Sequence, residues 1–240
     1  MGITCVTPNI AKVGKSYKVT AKVIINFSDV YKGEKDHSII HELNHLYELA
    51  LKEVSDSTYK TISGWDIVEE KIDSQEITDE EDKRKYELLN EIINEKIAKE
   101  ISKMMANKKI KIFDERINAD YQKKTGYDET NYIVDEFFET FKKEIKASRK
   151  NGNVRIIFDA VGRENFEDLN RLFQIHFEKI GGFKYYSLRE DLKDNRETYF
   201  YIKEKRDKIL KDMKEHYKLY IEGLKKEKNQ NLNSITGYGR

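Results

Sequence analysis

The chain has almost no cysteine or proline, no long apolar run and no excess of one charge. Cys5 is the only cysteine among 240 residues, which excludes an internal disulfide and implies no oxidising compartment. No stretch approaches the about 18 consecutive apolar residues of a transmembrane helix. The 45 Lys and Arg residues balance 44 Asp and Glu residues, and this net charge of +1 argues against a nucleic-acid binder.

The ends and composition of the chain predict a folded cytoplasmic protein without a membrane partner. Residues 1–20 contain no apolar segment typical of a secretory signal, although a native start and a shortened N-terminus both stay open. Aromatic residues make up 11% of the chain, too many for disorder throughout. The chain has one proline and no low-complexity linker, so its sequence shows no clean domain boundary. One continuous domain stays open as an alternative to a division near residue 127. This division separates a metal-binding lobe, residues 1–127, from a helical lobe, residues 128–240.

The spacing of apolar residues predicts a strand followed by a long helix. Residues 17–27 alternate apolar and polar side chains, which predicts a half-buried strand with a partner strand near residues 3–6. From Ser38 the period changes to 3.6, and the apolar stripe predicts one helix that continues as far as Val54.

The rest of the chain predicts an acidic surface loop and then several helices. Nine acids and one lysine lie between Asp66 and Asp82, which favours a solvated loop over residues 55–83. Helical spacing returns after this loop. The predicted helical segments are 88–105, 130–149, 164–180 and 198–227.

The motif that indicates chemistry is His41-Glu42-Leu43-Asn44-His45, an H-E-x-x-H sequence inside the first predicted helix. Residues four apart project from one face of a helix, so both imidazoles can reach one metal ion. Glu42 lies beside them, where it can take a proton from metal-activated water. The alternative, two ordinary histidines on a helix, stays open at this point.

A catalytic zinc ion usually has three protein ligands, so a third ligand must come from another segment. The best candidate is Glu91, which lies in Asn90-Glu91-Ile92-Ile93-Asn94-Glu95 on the second predicted helix. Glu91 and Glu95 are four residues apart and share a face. One can bind the metal while the other accepts the N–H of a ligating histidine. The other interpretation is that both carboxylates face solvent.

Together the two motifs resemble those of the gluzincin branch of the zincin metallopeptidases, whose best-known member is the thermolysin family. There an N-E-x-x-S-D motif supplies the third zinc ligand through its Glu, and its final acid is hydrogen-bonded to a ligating histidine. The resemblance implies His41, His45 and Glu91 as Zn²⁺ ligands, Glu42 as general base and Glu95 as hydrogen-bond partner of a ligand.

This resemblance covers about residues 17–105 and has departures. Asn94 and Glu95 replace the Ser and Asp of the family motif, and the gap between the two motifs is longer. The same segments also resemble gluzincin-like proteins of low-GC Gram-positive bacteria. The fold that the resemblance implies is zincin-like α+β, with a small N-terminal β-sheet and an H-E-x-x-H helix packed against a mainly α-helical C-terminal lobe.

The expected function is zinc-dependent hydrolysis of a peptide or protein substrate. The alternative is a non-catalytic protein-interaction module on a zincin-like or all-helical scaffold. Glu42 discriminates between the two, because a structural zinc site needs no such acid and usually has four protein ligands. The sequence leaves open the oligomeric state and the donor that stabilises the oxyanion. Candidates for that donor are Tyr86, Tyr127, His176 and Tyr186.

Overall fold

The computed structural model describes most of the chain, in ranges separated by short gaps. The backbone is described for residues 4–13, 16–25, 35–55, 58–71, 85–112, 115–116, 126–180 and 195–236. Side chains are described for residues 39–48, 62–65, 85–110, 128–180 and 195–230.

The described ranges contain α-helices, short antiparallel strands and a 3₁₀ helix. The helices are α1 (Lys35–Tyr47), α2 (Glu87–Asn107), α3 (Asn131–Lys150), α4 (Arg155–Val161), α5 (Arg163–Lys179) and α6 (Arg196–Thr236), with the 3₁₀ helix at Gly126–Thr130. The strands are β1 (Thr4–Val13), β2 (Ser16–Ile25), β3 (Leu49–Ser55), β4 (Thr58–Ser63), β5 (Asp66–Lys71), β6 (Lys111–Ile112) and β7 (Glu115–Arg116). They form separate groups: β1-β2, β3-β4-β5 and β6-β7.

The predicted zincin-like α+β fold is wrong, because the protein is mostly helical. Among the residues whose side chains are described, 87% are helical and 2% lie in strands. All the buried apolar side chains described lie on helices, except Trp65 and Tyr86. In the part of the chain whose side chains are described, the core is therefore made by helices that bury their apolar faces.

The chain divides into two compact units. The first unit comprises Met1–Tyr127 together with Arg149–Gly152, and the second comprises Asp128–Ser148 and Asn153–Arg240. In the first unit α1 packs against α2. Ile40 of α1 and Ala98 of α2 form an apolar cluster with three partly buried side chains of α2. These three residues are Ile101, Met105 and Ala106.

Two predictions about the segment after the H-E-x-x-H motif are wrong. The first predicted helix ends at Tyr47 instead of continuing to Val54, and β3 follows it. The predicted acidic loop contains β4 and β5, which pair through a two-residue turn at Gly64 and Trp65. Gly64 has a φ of +60°, which suits such a tight hairpin turn, and Trp65 is buried. The strand predicted at residues 17–27 is found as β2, paired with β1.

The second unit buries an aromatic core between helices. α6 packs against α4 and α5. α3 is amphipathic and is interrupted at Phe141, whose φ of −113° and ψ of 20° are not helical. Among the side chains described, the fully buried aromatic residues are Phe137, Phe138, Phe141, Phe166 and Phe173. No helix in the described part of the chain has the length and apolar character to cross a bilayer.

Candidate metal centre

The contact between α1 and α2 brings the two sequence motifs together. His41 and His45 lie one turn apart on α1, and Glu91 and Glu95 lie one turn apart on α2. Because helical residues four apart share a face, each pair lies on one side of its helix. All four side chains belong to the first unit.

Three of these side chains converge on one point. The Nε2 atoms of His41 and His45 lie 3.3 Å apart. The Glu91 carboxylate faces both rings, with Oε2 3.2 Å from the Nε2 of His41 and Oε1 3.2 Å from the Nε2 of His45. Each of these three residues offers one potential metal ligand atom, and the three atoms all lie within 4.8 Å of one another.

The separations between the donor atoms fit a tetrahedral zinc ion. Bonds of about 2.0–2.1 Å at tetrahedral angles place neighbouring ligand atoms about 3.3 Å apart. The distances observed among His41, His45 and Glu91 are 3.2 and 3.3 Å. Two imidazoles and one carboxylate are a ligand set that zinc accepts, and three ligands leave the fourth position open. The residues present therefore fit a catalytic zinc ion.

Glu95 lies behind His41, on the side away from this point. The Nδ1–H of His41 donates to Oε2 of Glu95 at 3.0 Å, and the Nζ of Lys99 lies 3.8 Å from the other Glu95 oxygen. A hydrogen bond at Nδ1 fixes the tautomer and leaves the lone pair of Nε2 free for a metal. Glu95 is thus placed to orient His41 rather than to bind the ion itself.

Buried amides reinforce the contact between the two helices. The Nδ2 of Asn94 donates to the backbone carbonyl of His41 at 3.0 Å, and the Nδ2 of Asn44 donates to the Oδ1 of Asn94. Asn94 is fully buried and Asn44 nearly so. Because buried amides are costly without partners, this pair favours one register of α1 against α2.

The charges of the site favour a cation between the donors. Burial alone lowers the pKa of His41, but hydrogen bonds to Glu91 and Glu95 outweigh burial and raise that pKa to about 9. Burial likewise raises the pKa of Glu91, but hydrogen bonds to His41 and His45 hold it well below its usual range. In the metal-free protein a proton on His41 supplies the positive charge, and a metal ion bound by the same Nε2 atom replaces it.

The exposure of the side chains shows on which side the site is open. Glu95 is 4% exposed and His41 8%, whereas His45 is 14% and Glu91 29% exposed. Solvent therefore reaches the site past Glu91 and His45. Glu42 is half-buried on α1, three residues before His45, which makes the two neighbours on the helix surface.

The sequence predictions missed an ion pair directly beside the site. Arg149, at the end of α3, donates to both oxygens of Glu48, with distances of 3.0 Å from Nε and 2.5 Å from Nη2. Its Nη1 also donates to the backbone carbonyl of Asn90 at 3.0 Å and to the Oδ1 of the same residue. No local signal distinguishes Arg149 from the other basic residues of the chain, because its partner Glu48 is 101 positions away.

The candidates for the oxyanion donor lie in different parts of the chain. Tyr86 is buried directly before α2. His176 lies in the second unit, where its Nδ1 is 2.9 Å from the hydroxyl of Tyr132 and shares a hydrogen bond with it. Tyr186 and the side chain of Tyr127 lie outside the described residues.

Comparisons of the chain with protein-family models, with curated proteins and with solved structures gave no match. The candidate metal centre therefore rests on the sequence motifs and on the geometry of His41, His45 and Glu91.

Proposed function

We propose that the protein is a zinc-dependent hydrolase of peptide bonds, with His41, His45 and Glu91 as zinc ligands and Glu42 as general base. The observation that carries this proposal is the convergence of the three donor atoms at 3.2 and 3.3 Å. The role of Glu42 comes from its place in the H-E-x-x-H motif. The proposal takes over the chemistry of the gluzincin motifs without the zincin-like fold. A peptide or protein substrate and a cytoplasmic location are parts of the same proposal.

Each residue of the site has a separate task in this reaction. His41, His45 and Glu91 would hold a zinc ion, which would supply the Lewis acid that polarises the scissile carbonyl and activates water at neutral pH. Glu42 accepts the proton of the attacking water and delivers it to the leaving amine. Glu95 keeps the Nδ1 proton on His41, so that the Nε2 lone pair stays directed to the metal position. Substrate approaches from the open side, past Glu91 and His45.

The geometry favours this function over a non-catalytic interaction module. A structural zinc site usually has four protein ligands and is closed, whereas the cluster among the described residues has three potential ligands, one of them a partly exposed carboxylate. Glu42 has no task in a structural site. An interaction module therefore gives no reason for an acid at this position.

Metal analysis of the purified protein tests the site. We expect about one zinc per chain in the parent and in Glu42→Gln, and loss of zinc in Glu91→Ala, because Glu91 is a proposed ligand and Glu42 is not. Glu87→Ala is a matched control, since Glu87 is exposed on the same helix one turn earlier. A parent that binds iron instead of zinc, or no metal after reconstitution, would overturn the proposal.

Activity is tested with a library of internally quenched fluorescent peptides. We expect cleavage by the zinc-loaded parent, inhibition by a chelator, and a decrease in kcat of about 10²–10⁴-fold in Glu42→Gln at unchanged zinc content. A zinc-loaded parent that cleaves no peptide in the library, or equal cleavage by Glu42→Gln, would refute the catalytic part of the proposal and favour the interaction module.

A further inference from the structure

Arg149 is the largest fully buried side chain in the described part of the protein, and its guanidinium is surrounded by partners. Besides Glu48 and Asn90, it lies against the ring of Trp65, with 5.3 Å between its Cζ and the ring centroid. Burying a guanidinium is costly unless its charge is paired and its N–H groups are bonded. Here both conditions are met.

The partners of Arg149 lie directly beside the metal-binding residues. Glu48 follows the last residue of α1 and is three positions after His45. Asn90 precedes Glu91 on α2. One guanidinium therefore bonds both the end of the helix that carries the histidines and the helix that carries the third ligand.

The neighbouring turn is adapted to this arrangement. Asn90 also accepts from the backbone N–H of Trp65 at 3.1 Å and donates to the Ser63 carbonyl at 3.2 Å. A Cβ atom at Gly64 would overlap the Oδ1 of Asn90 and would lie 3.0 Å from the Cζ of Arg149. Glycine is thus required at this turn both by its positive φ and by the space that Asn90 and Arg149 occupy.

We propose that Arg149 is a positioning residue for the metal centre: by holding Glu48 and Asn90 together, it fixes the distance between His45 and Glu91. This inference rests on the proposed zinc site and names a residue outside the two motifs on which that site depends. The planar guanidinium bonds both oxygens of Glu48 and the side chain and backbone of Asn90 at once. A lysine ammonium carries the same charge but lacks this fixed fork of donors.

The first test compares Arg149→Lys with the parent. The variant keeps a positive charge beside Glu48, so we expect it to fold and to bind zinc about 10–100-fold more weakly, the usual effect of losing a partner that orients a ligand. The visible spectrum of the Co²⁺-substituted protein should also change, because it reports the ligand geometry. Arg171→Lys is the control, since Arg171 makes an exposed ion pair with Asp168 and should leave both readouts unchanged.

A second variant separates positioning from folding. In Glu48→Gln/Arg149→Met both charges are removed together, so that no unpaired charge is left buried. We expect a folded protein with the same weakening of zinc binding and the same spectral change. Two folded variants that bind zinc within about twofold of the parent, with an unchanged Co²⁺ spectrum, would overturn the inference. Failure of both variants to fold would also overturn it, because Arg149 would then be needed for the fold itself.

A metal-free readout distinguishes failure of this inference from failure of the proposed function. In long-range ¹H–¹⁵N spectra of the chelator-treated protein, the ring nitrogens of His41 and His45 report their hydrogen bonds directly. If the parent binds no zinc, the proposed function fails, but altered His45 signals in Arg149→Lys would still support positioning by Arg149. Unchanged signals would refute it.

Discussion

The metal-free protein should lose stability as the pH rises from 6.5 to 9, and the cause is His41. Between Glu91 and Glu95 the pKa of this residue is raised from 6.5 to about 9. A group whose pKa is higher in the folded state contributes its full stabilisation below its unfolded pKa and loses it as the pH rises through the folded value. Each pKa unit corresponds to about 1.4 kcal/mol, so the loss amounts to about 3 kcal/mol. Because Glu91 shares the same interaction, the shift is counted once.

The assay uses the only tryptophan of the chain as a probe for the unit that holds the site. Trp65 is 4% exposed and lies in the first unit. Its fluorescence in urea titrations of the chelator-treated protein should report a free energy of unfolding that decreases by about 3 kcal/mol between pH 6.5 and 9. In His41→Gln this pH dependence should be absent, whereas a variant of the exposed His216 should keep it.

The same proton should compete with zinc. Because protonated His41 cannot bind a metal, zinc affinity should rise about tenfold per pH unit from pH 7 up to the pKa of His41, while the stability of the metal-free protein falls. A competition titration against a chromophoric chelator measures this slope. The reasoning would be refuted if the stability of the metal-free parent stayed constant from pH 6.5 to 9. It would also be refuted if the stability of His41→Gln depended on pH as strongly as that of the parent.

Further expectations concern backbone, acid stability and the buried amides. Gly64→Ala should destabilise the first unit by about 1–2 kcal/mol or more in thermal unfolding, because alanine is strained at a φ of +60°. Gly223→Ala is the control: Gly223 lies on an open part of α6, so alanine should stabilise that helix by about 0.5–1 kcal/mol. Burial lowers the pKa of His176 from 6.5 to about 4, so the free energy of unfolding of the second unit should decrease by about 3 kcal/mol as the pH falls through this range. Urea titrations followed by circular dichroism should show this decrease in the parent and not in His176→Gln. Asn94→Ala should cost about 1–3 kcal/mol by Trp65 fluorescence, since it removes the partners of two buried polar groups; an unchanged midpoint would contradict that role.

The helices of the site could be predicted because their apolar spacing is local information. The segment predicted as helix at 88–105 is α2, and the histidine spacing within α1 places both rings on one face. That Glu91 and Glu95 share a face also follows from helical spacing alone. Their separate roles as ligand and as partner of a ligand are implied only by the resemblance to the gluzincin motif.

The errors lie where distant residues decide the structure. The apolar stripe after Ser38 continues smoothly past Tyr47, yet the chain leaves the helix there and enters β3. At that point Glu48 is buried against Arg149, a residue 101 positions away, and Ser63 donates to the carbonyl of His45 at 3.3 Å. In so short a segment the same apolar residues fit both the alternating spacing of a strand and the spacing of a helix. The contacts that decide between strand and helix come from residues far away in the sequence.

The polar side chains buried between α1 and α2 determine how the two helices are aligned, although apolar side chains there would stabilise the contact more. Asn90, Asn94 and Glu95 are all nearly or fully buried on α2, in positions where apolar side chains would pack at lower desolvation cost. Every one of them is bonded to α1, to Glu48 through Arg149, or to the β4–β5 turn. If α2 moved by one turn along α1, these groups would lose their partners, whereas an apolar contact would tolerate such a shift at smaller cost. The polar face therefore selects one register of the two helices, and that register is the one in which the Nε2 atoms of His41 and His45 meet the carboxylate of Glu91.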